Sequence, residues 1–421
     1  MGDYRVSRGE VDILRRLGEK IANIAILPGQ KENRILWTGL NDLASPVPVV
    51  WITQIPWHEM NYNDELTLLC REEWARNLER HLRRTIYQYK HMPGNMVVEG
   101  VIECEKIFKI SGFGIEERTE LCFTDTASDI VSRSFYPQIT SFKDLDKIKM
   151  PQVVYDERNT LKKFGIMRDI FSNILPVVLT GQKNIWYAPW DFLVRWWGIY
   201  RFFTDLAENP ALINAAAERM RNWYMVLLDQ LEKQKLLTLD SSNCMVGSGG
   251  YGYTSELPGE KINSENIRSR NMWGCASAQP FSGVSPEMQW EYAIRHDLPW
   301  LEKWGMNYYG CCEPLDQKIR YLRKIPRLRK ISISPWCNIE NAVKEIGTDF
   351  VLSYKPNPAV FAARDWDHES SRREVEKVLD FSKGELFIEF ILKDISTVRY
   401  EPWRLWEWSE MMQETLQNYF G

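Results

Sequence analysis

The chain has 421 residues, 44% hydrophobic and 26% charged, the make-up of a globular protein with a sizeable core. A net charge of −4 supplies neither a basic field for nucleic acid nor a polybasic arm for a membrane. No apolar run reaches the ~20 residues of a membrane span, and the charged first residues lack a signal core, so a cytoplasmic enzyme is expected.

Apolar residues three and four apart predict helices over 7–24 and 65–90. Between them the β-branched run 47–54 predicts the first buried strand. Similar runs at 96–102, 175–180, 236–240, 306–311, 330–334, 350–354 and 386–391 bring the count to eight. Helical patterns over 191–206, 210–234, 286–304, 339–346 and 370–381 separate most of these runs. Such alternation predicts parallel βα units, and eight of them close naturally into an α/β fold of the (β/α)8 TIM-barrel type. The expected organisation is an N-terminal helical extension (1–45) followed by a single barrel (46–421). The interval at about 103–150 is too long for one crossover. Its β-like text at 107–110 and 120–123 predicts an inserted β-hairpin after strand two.

Chemistry is expected at the C-terminal strand tips. The run 306–311 ends on Cys311-Cys312-Glu313, two soft donors and a hard one that could hold a metal ion. Eight cysteines in a chain of this length are too sparse for a disulfide scaffold and read as thiols. The bland alternatives are small core residues and a helix cap. Neighbours on a strand point to opposite faces, so both cysteines can meet one ion only if the strand has already turned. Glu389, on the last strand, is a candidate third ligand. His58 and Glu59, just past strand one, are candidates for acid–base work or ligation, against a structural role. Lys355 after strand seven could hold a substrate carboxylate or oxyanion, and Lys393-Asp394 after strand eight could act similarly; solvent-facing roles stand beside these.

Tryptophan is the compositional outlier, at 18 residues. Pro-Trp occurs five times, and three of these fall just past a strand, which suggests a pocket mouth for a flat or apolar ligand as well as ordinary core packing. Gln54, Trp57, Trp190, Tyr309 and Trp336 are the candidate substrate contacts. Gly247-Ser-Gly-Gly-Tyr-Gly252 matches a dinucleotide string, but loop text follows it instead of a helix, so a flexible mouth loop is expected.

Several segments resemble the uroporphyrinogen decarboxylase superfamily: 48–54 its first strand, 187–193 with 205–212 its helix signature, and 285–292 its segment after strand four. The family's decarboxylases carry arginines in the first loop that grip porphyrinogen carboxylates, whereas 52–57 has none. The other branch, zinc-dependent methyltransferases that work with corrinoid proteins, places a His-x-Cys-Gly tip on the fifth strand. Tyr309-Gly-Cys-Cys312 resembles that tip, with tyrosine in place of histidine and Cys312 in place of glycine. The resemblance implies zinc held by Cys311, with Cys312 or His58 compensating for the missing histidine and Glu389 or a neighbour on strand eight as the late ligand. It also implies a corrinoid supplied by a partner protein and a methyl group moved to or from a small substrate, such as a methoxylated aromatic. Zinc would lower a thiol's pKa or accept a developing oxyanion. The competing expectations are a decarboxylase or lyase of a small carboxylic acid using Lys355 and Asp394, and a non-catalytic corrinoid- or ligand-binding barrel. Neither a nucleic-acid nor a membrane partner is expected, and a homodimer is one option for assembly.

Overall fold

A computed structural model describes residues 4–122, 132–259 and 266–420. The strands are β1 Val49–Ile52, β2 Ile102–Glu105, β3 Phe108–Ile110, β4 Thr119–Cys122, β5 Ser132–Phe135, β6 Val153–Tyr155, β7 Val177–Thr180, β8 Trp273–Ala276, β9 Met306–Tyr309, β10 Leu328–Ile333, β11 Val351–Tyr354 and β12 Ile388–Leu392. Six of them form one parallel sheet in the order β1-β12-β11-β10-β9-β8. A second parallel pair is β2-β7, extended by a bridge from Gln182 to Leu237. The fold is therefore mixed α/β with parallel ladders of six and two strands.

Strands in the large sheet are buried on both faces, which is why they read as continuous apolar runs. On one face Val50, Ile52, Ile331, Ile333, Leu352, Ile388, Phe390 and Leu392 join the principal core with the surrounding helices. The opposite face carries Val49, Val351 and Ile391, packed against Trp37 and Tyr251, and Trp273, Cys275 and Tyr308, packed against Val246. This second face also carries the polar residues Lys330, Ser353, Lys355, Glu389 and Lys393, by the two-residue period of a strand.

Two helices precede β1, Arg8–Ala25 and Pro28–Asn41, the second beyond the single one predicted. Ser7 and Glu10 form a reciprocal capping box at the first. The insertion holds two antiparallel pairs, β4 with β5 and β3 with β6, so the runs 107–110 and 120–123 fall in separate pairs instead of one hairpin, and residue 123 lies outside the described residues.

Three strand expectations shift. The run 96–102 becomes β2 only from Ile102, because Met96–Val98 gives its backbone to side chains: Asn33 donates to the Met96 carbonyl, and Gln30 accepts from Val98 N–H. The run 236–240 supplies only the bridge at Leu237. A strand absent from the prediction, β8, pairs with β9 instead. The glycine string 247–252 is the largest correction: it is buried, not a flexible mouth loop. Gly249 faces Tyr308 and Glu389, and Gly250 lies against the Trp37 ring, so closely that a Cβ at either would collide with them. Gly247, at φ +58, sits over the Tyr308 ring.

Candidate active site at the strand tips

β9 ends at Tyr309, and Gly310 at φ +100 turns the chain sharply. A Cβ at Gly310 would meet Leu315 and Ser332 as well as a disfavoured backbone conformation. Glu313 is fully buried and fixes the turn, accepting from Cys311 N–H at 2.8 Å and from Ala278 N–H at 3.1 Å. Ser332 Oγ donates to the Cys311 carbonyl at 2.6 Å. The strand has turned, so the two neighbouring thiols converge: their Sγ atoms are 3.5 Å apart.

Lys393 and Asp394 reach the pair from the end of β12. Lys393 Nζ lies 3.1 Å from Cys311 Sγ and 3.8 Å from Cys312 Sγ. Asp394 Oδ2 lies 3.1 Å from Cys312 Sγ and 3.2 Å from Lys393 Nζ. Asp394 adopts φ +58, and its N–H donates to Gln54 Oε1 at 3.0 Å, which ties the tip of β12 to that of β1. The Cys312 thiol proton thus has two acceptors, the Cys311 sulfur and the Asp394 carboxylate.

Electrostatics separate the two sulfurs. The hydrogen bond from Cys312, helped by the Lys393 ammonium, overcomes burial and lowers the Cys311 thiol to about 7. Cys312 is pushed up, because its hydrogen bond to the Cys311 thiolate and its burial both favour the protonated form. Burial opposes charge on Lys393, but Cys311, Asp394 and Cys312 outweigh it and hold the ammonium above the ordinary lysine range. The arrangement is a buried thiolate–ammonium pair with a thiol and a carboxylate at its open side.

A second polar cluster lies on the same face of the sheet. Lys355 Nζ donates to Tyr308 Oη at 3.0 Å and to Ser353 Oγ at 2.6 Å. Ser353 Oγ donates to Glu389 Oε1 at 2.5 Å, and Lys330 Nζ reaches Glu389 Oε2 at 2.8 Å. Ser248 and Gly250 of the glycine loop close the cluster through Tyr308 Oη, the Gly310 carbonyl and Glu389. Burial brings the Lys355 amine down to about 7. Glu389 is kept ionised despite burial by Lys330 and Lys355.

The predicted site residues divide accordingly. Cys311, Cys312, Asp394 and Gln54 come together, and Lys355 with Glu389 forms the neighbouring cluster. Glu389 precedes Lys393 by four residues on one strand, about 13 Å of chain, and its carboxylate is occupied by Lys330, Ser353 and Gly250. It is not placed with the thiols as a third ligand. Glu59 binds the segment after β12, accepting from Thr397 Oγ1 and from the N–H groups of Val398 and Tyr400. His58 sits 3.5 Å from Glu59 Oε1, with its ring edge-on to Tyr400. Trp57 is half-buried under Arg84, and Trp336 is 70% exposed. Trp190 is fully buried against Phe281 and Phe202. Tyr309 is also fully buried; it faces the helices and donates to Asp297.

Two residues that sequence reasoning passed over belong near the site. Tyr308, not Tyr309, shares the face of the polar cluster. Asp191, in the segment quoted for the family resemblance, is raised to about 6 by burial and the Glu313 charge, and it accepts from Gln279 at 3.0 Å. Its position directly after Trp190 was the available clue.

Zinc does not fit the donor set as it stands. Among the described residues no group of three or more His, Cys, Asp or Glu side chains could hold a metal ion. The Cys311 sulfur already has the Lys393 ammonium against it, at 3.1 Å.

No protein-family model matches the chain, and no curated protein matches it. Among solved structures, the chain is similar to a methyltransferase from Methanosarcina mazei at 10% identity and a TM-score of 0.49, over 92% of this chain and 99% of that one. Among the described residues, no helix is long and apolar enough to cross a membrane.

Proposed function

We propose that the chain is an enzyme of the methyltransferase type, moving a methyl group between a small substrate and a corrinoid carried by a partner protein. The observation that carries this reading is the Cys311–Lys393 pair at the strand tips, 3.1 Å apart, where the family resemblance puts a methyltransferase's zinc thiolate. The substrate class is a methoxylated aromatic, as the family resemblance implies. The corrinoid would supply the methyl acceptor or donor.

In the demethylating direction the protein's task is to accommodate the departing oxygen. As the methyl–oxygen bond breaks, negative charge grows on that oxygen, and Lys393 offers both a cation and a proton. Cys311 keeps Lys393 protonated until that moment, and Asp394 fixes its orientation. The cation expected from a metal is supplied by Lys393 in this reading.

The test is transfer between 2-methoxyphenol and cob(I)alamin, followed by methylcobalamin absorbance and release of the free phenol. Lys393→Met should lower turnover by about a hundredfold or more, while Lys393→Arg retains part of it. Equal rates in the wild type and Lys393→Met would end the proposal. Stoichiometric zinc on both cysteines of the purified protein would instead require the metal to displace Lys393 from Cys311.

A second reading rests on Lys355, whose buried amine near 7 suits covalent or acid–base chemistry on a small carboxylic acid. A borohydride-trapped adduct on Lys355 with a keto acid would favour that decarboxylase or lyase.

A further inference from the structure

A cavity of about 480 Å³ opens where β1 and β2, which belong to separate ladders, part from each other. Its walls are the helix Glu73–His91, Trp51 of β1, the start of β2 and Tyr251 of the glycine string. Neither thiol lines it, nor do Lys393, Asp394, Lys355 and Glu389, so neither reading above uses it. Tyr251, Val97 and Ile102 in its lining are buried, whereas Trp57, Arg84 and Thr85 are half-buried. The cavity thus has a sheltered, largely apolar end and an open end that carries a guanidinium. Trp51 and Tyr251 stand with ring centroids 4.7 Å apart, and Arg84 lies 5.1 Å over the Trp57 ring. Volume and walls of this kind suit a small flat ligand.

Two polar features narrow the chemistry of that ligand. The first is charge. Of the carboxylates in the lining, Glu99 is bound by Arg34 at 2.8 Å and by Tyr253, and Glu103 is bound by Lys183. With those two matched, Arg84 leaves the cavity one positive charge in excess. The second is a donor. Trp51 Nε1 is buried and meets no hydrogen-bond partner among the described residues. A buried N–H left without an acceptor is costly, and an oxygen brought in by a ligand would supply one. The amides of Gln88 and Asn243 already donate within the protein, to the carbonyls of Ile52 at 2.7 Å and Val97 at 3.1 Å.

We propose that this cavity binds an elongated aromatic carboxylate with an oxygen substituent at the far end of its rings. The carboxylate pairs with Arg84 at the open end, where a planar guanidinium can meet it with two parallel hydrogen bonds. The rings lie against Trp51 and Trp57, and the far oxygen accepts from Trp51 Nε1. A monoanion fits the surplus of one charge. A dianion such as a phosphate monoester would bring more negative charge than Arg84 matches, beside Glu99 and Glu103.

The test is isothermal titration of the full chain at pH 7.5 with 6-hydroxy-2-naphthoate, without corrinoid or methyl donor, so its outcome is independent of methyl transfer. One molecule should bind per chain. 2-Naphthol, which lacks the carboxylate, should bind about tenfold or more weaker, and 2-naphthoate, which lacks the far oxygen, about threefold or more weaker. In Arg84→Met the first difference should vanish, and in Trp51→Phe the second, because each variant removes the protein half of one contact. Thr85→Trp, which fills the cavity from the helix, should abolish binding. Thermal melts show which variants fold, and the comparison of the three ligands needs no variant. Absence of saturable binding to the wild type, or equal affinity for all three ligands, would overturn the proposal. So would binding lost in Lys393→Met but kept in Thr85→Trp, since the ligand would then sit at the thiol–lysine centre.

Discussion

Replacing Lys393 by methionine keeps the length of the side chain and removes its charge. In the intact protein the Cys311 thiol falls from 9.0 to about 7, a preference for the thiolate of about 3 kcal/mol. Methionine leaves the Cys312 hydrogen bond as the main favourable influence, against burial and the Glu313 charge. The thiol should move back up toward its ordinary 9.0, so at pH 7 the thiolate fraction drops below the one half it has in the intact protein. Iodoacetamide, which reacts with the thiolate, should then label Cys311 more slowly at that pH, by up to about fiftyfold. Rates followed by peptide mass spectrometry between pH 5 and 10 give the midpoint directly. If the Lys393→Met profile keeps its midpoint near 7, Lys393 does not stabilise the thiolate, and the ion pair has no part in the site.

Other expectations follow from the interior. Lys330→Met strips the fully buried Glu389 of its main ion pair and should cost about 3–5 kcal/mol in urea unfolding, despite the added apolar surface. Gly250→Ala drives a methyl group into the Trp37 ring and should cost about 1–3 kcal/mol in the same assay, whereas Gly259→Ala meets no neighbouring atom and is resisted only by its φ of +87. Burial, with Arg295 and Arg221 nearby, lowers His296 from 6.5 to about 4. Between pH 4 and 6.5 the unfolded chain therefore binds the proton that the folded chain refuses. Stability should rise with pH across that window, and His296→Gln should flatten the rise in chemical unfolding at stepped pH.

The half of the fold after residue 300 was largely legible in the sequence. The runs 306–311, 330–334, 350–354 and 386–391 coincide with β9 to β12, because parallel strands buried on both faces are written as uninterrupted apolar text. β8 escaped because Trp273-Gly-Cys-Ala276 contains a glycine, and glycine mid-strand reads as a break. Its cause is tertiary: a Cβ at Gly274 would strike the Trp304 ring. The glycine string misled for the same reason, since sequence alone cannot distinguish a glycine needed for flexibility from one needed for closeness. At the site, the convergence of Cys311 and Cys312 hung on a turn that Gly310 makes. The partner of Cys311 lies 82 residues away, beyond any local pattern. Lys393 and Asp394 were visible as candidates, but their pairing with the thiols was not. Tyr308 and Tyr309 show how strand parity decides: one faces the polar cluster, the other the helices.

The buried glycine segment also constrains how the protein can be made. Ser248 bonds to Tyr308, 60 positions later, and Gly250 bonds to Glu389, 139 positions later. During synthesis this stretch leaves the ribosome well before the strands that enclose it exist. Until β12 arrives, the Gly250 N–H that Glu389 accepts and the side chains of Trp37 and Tyr251 lack their final surroundings. A nascent chain ending near residue 300 should thus remain open to proteolysis within 241–256 and become protected only when the last strand is complete.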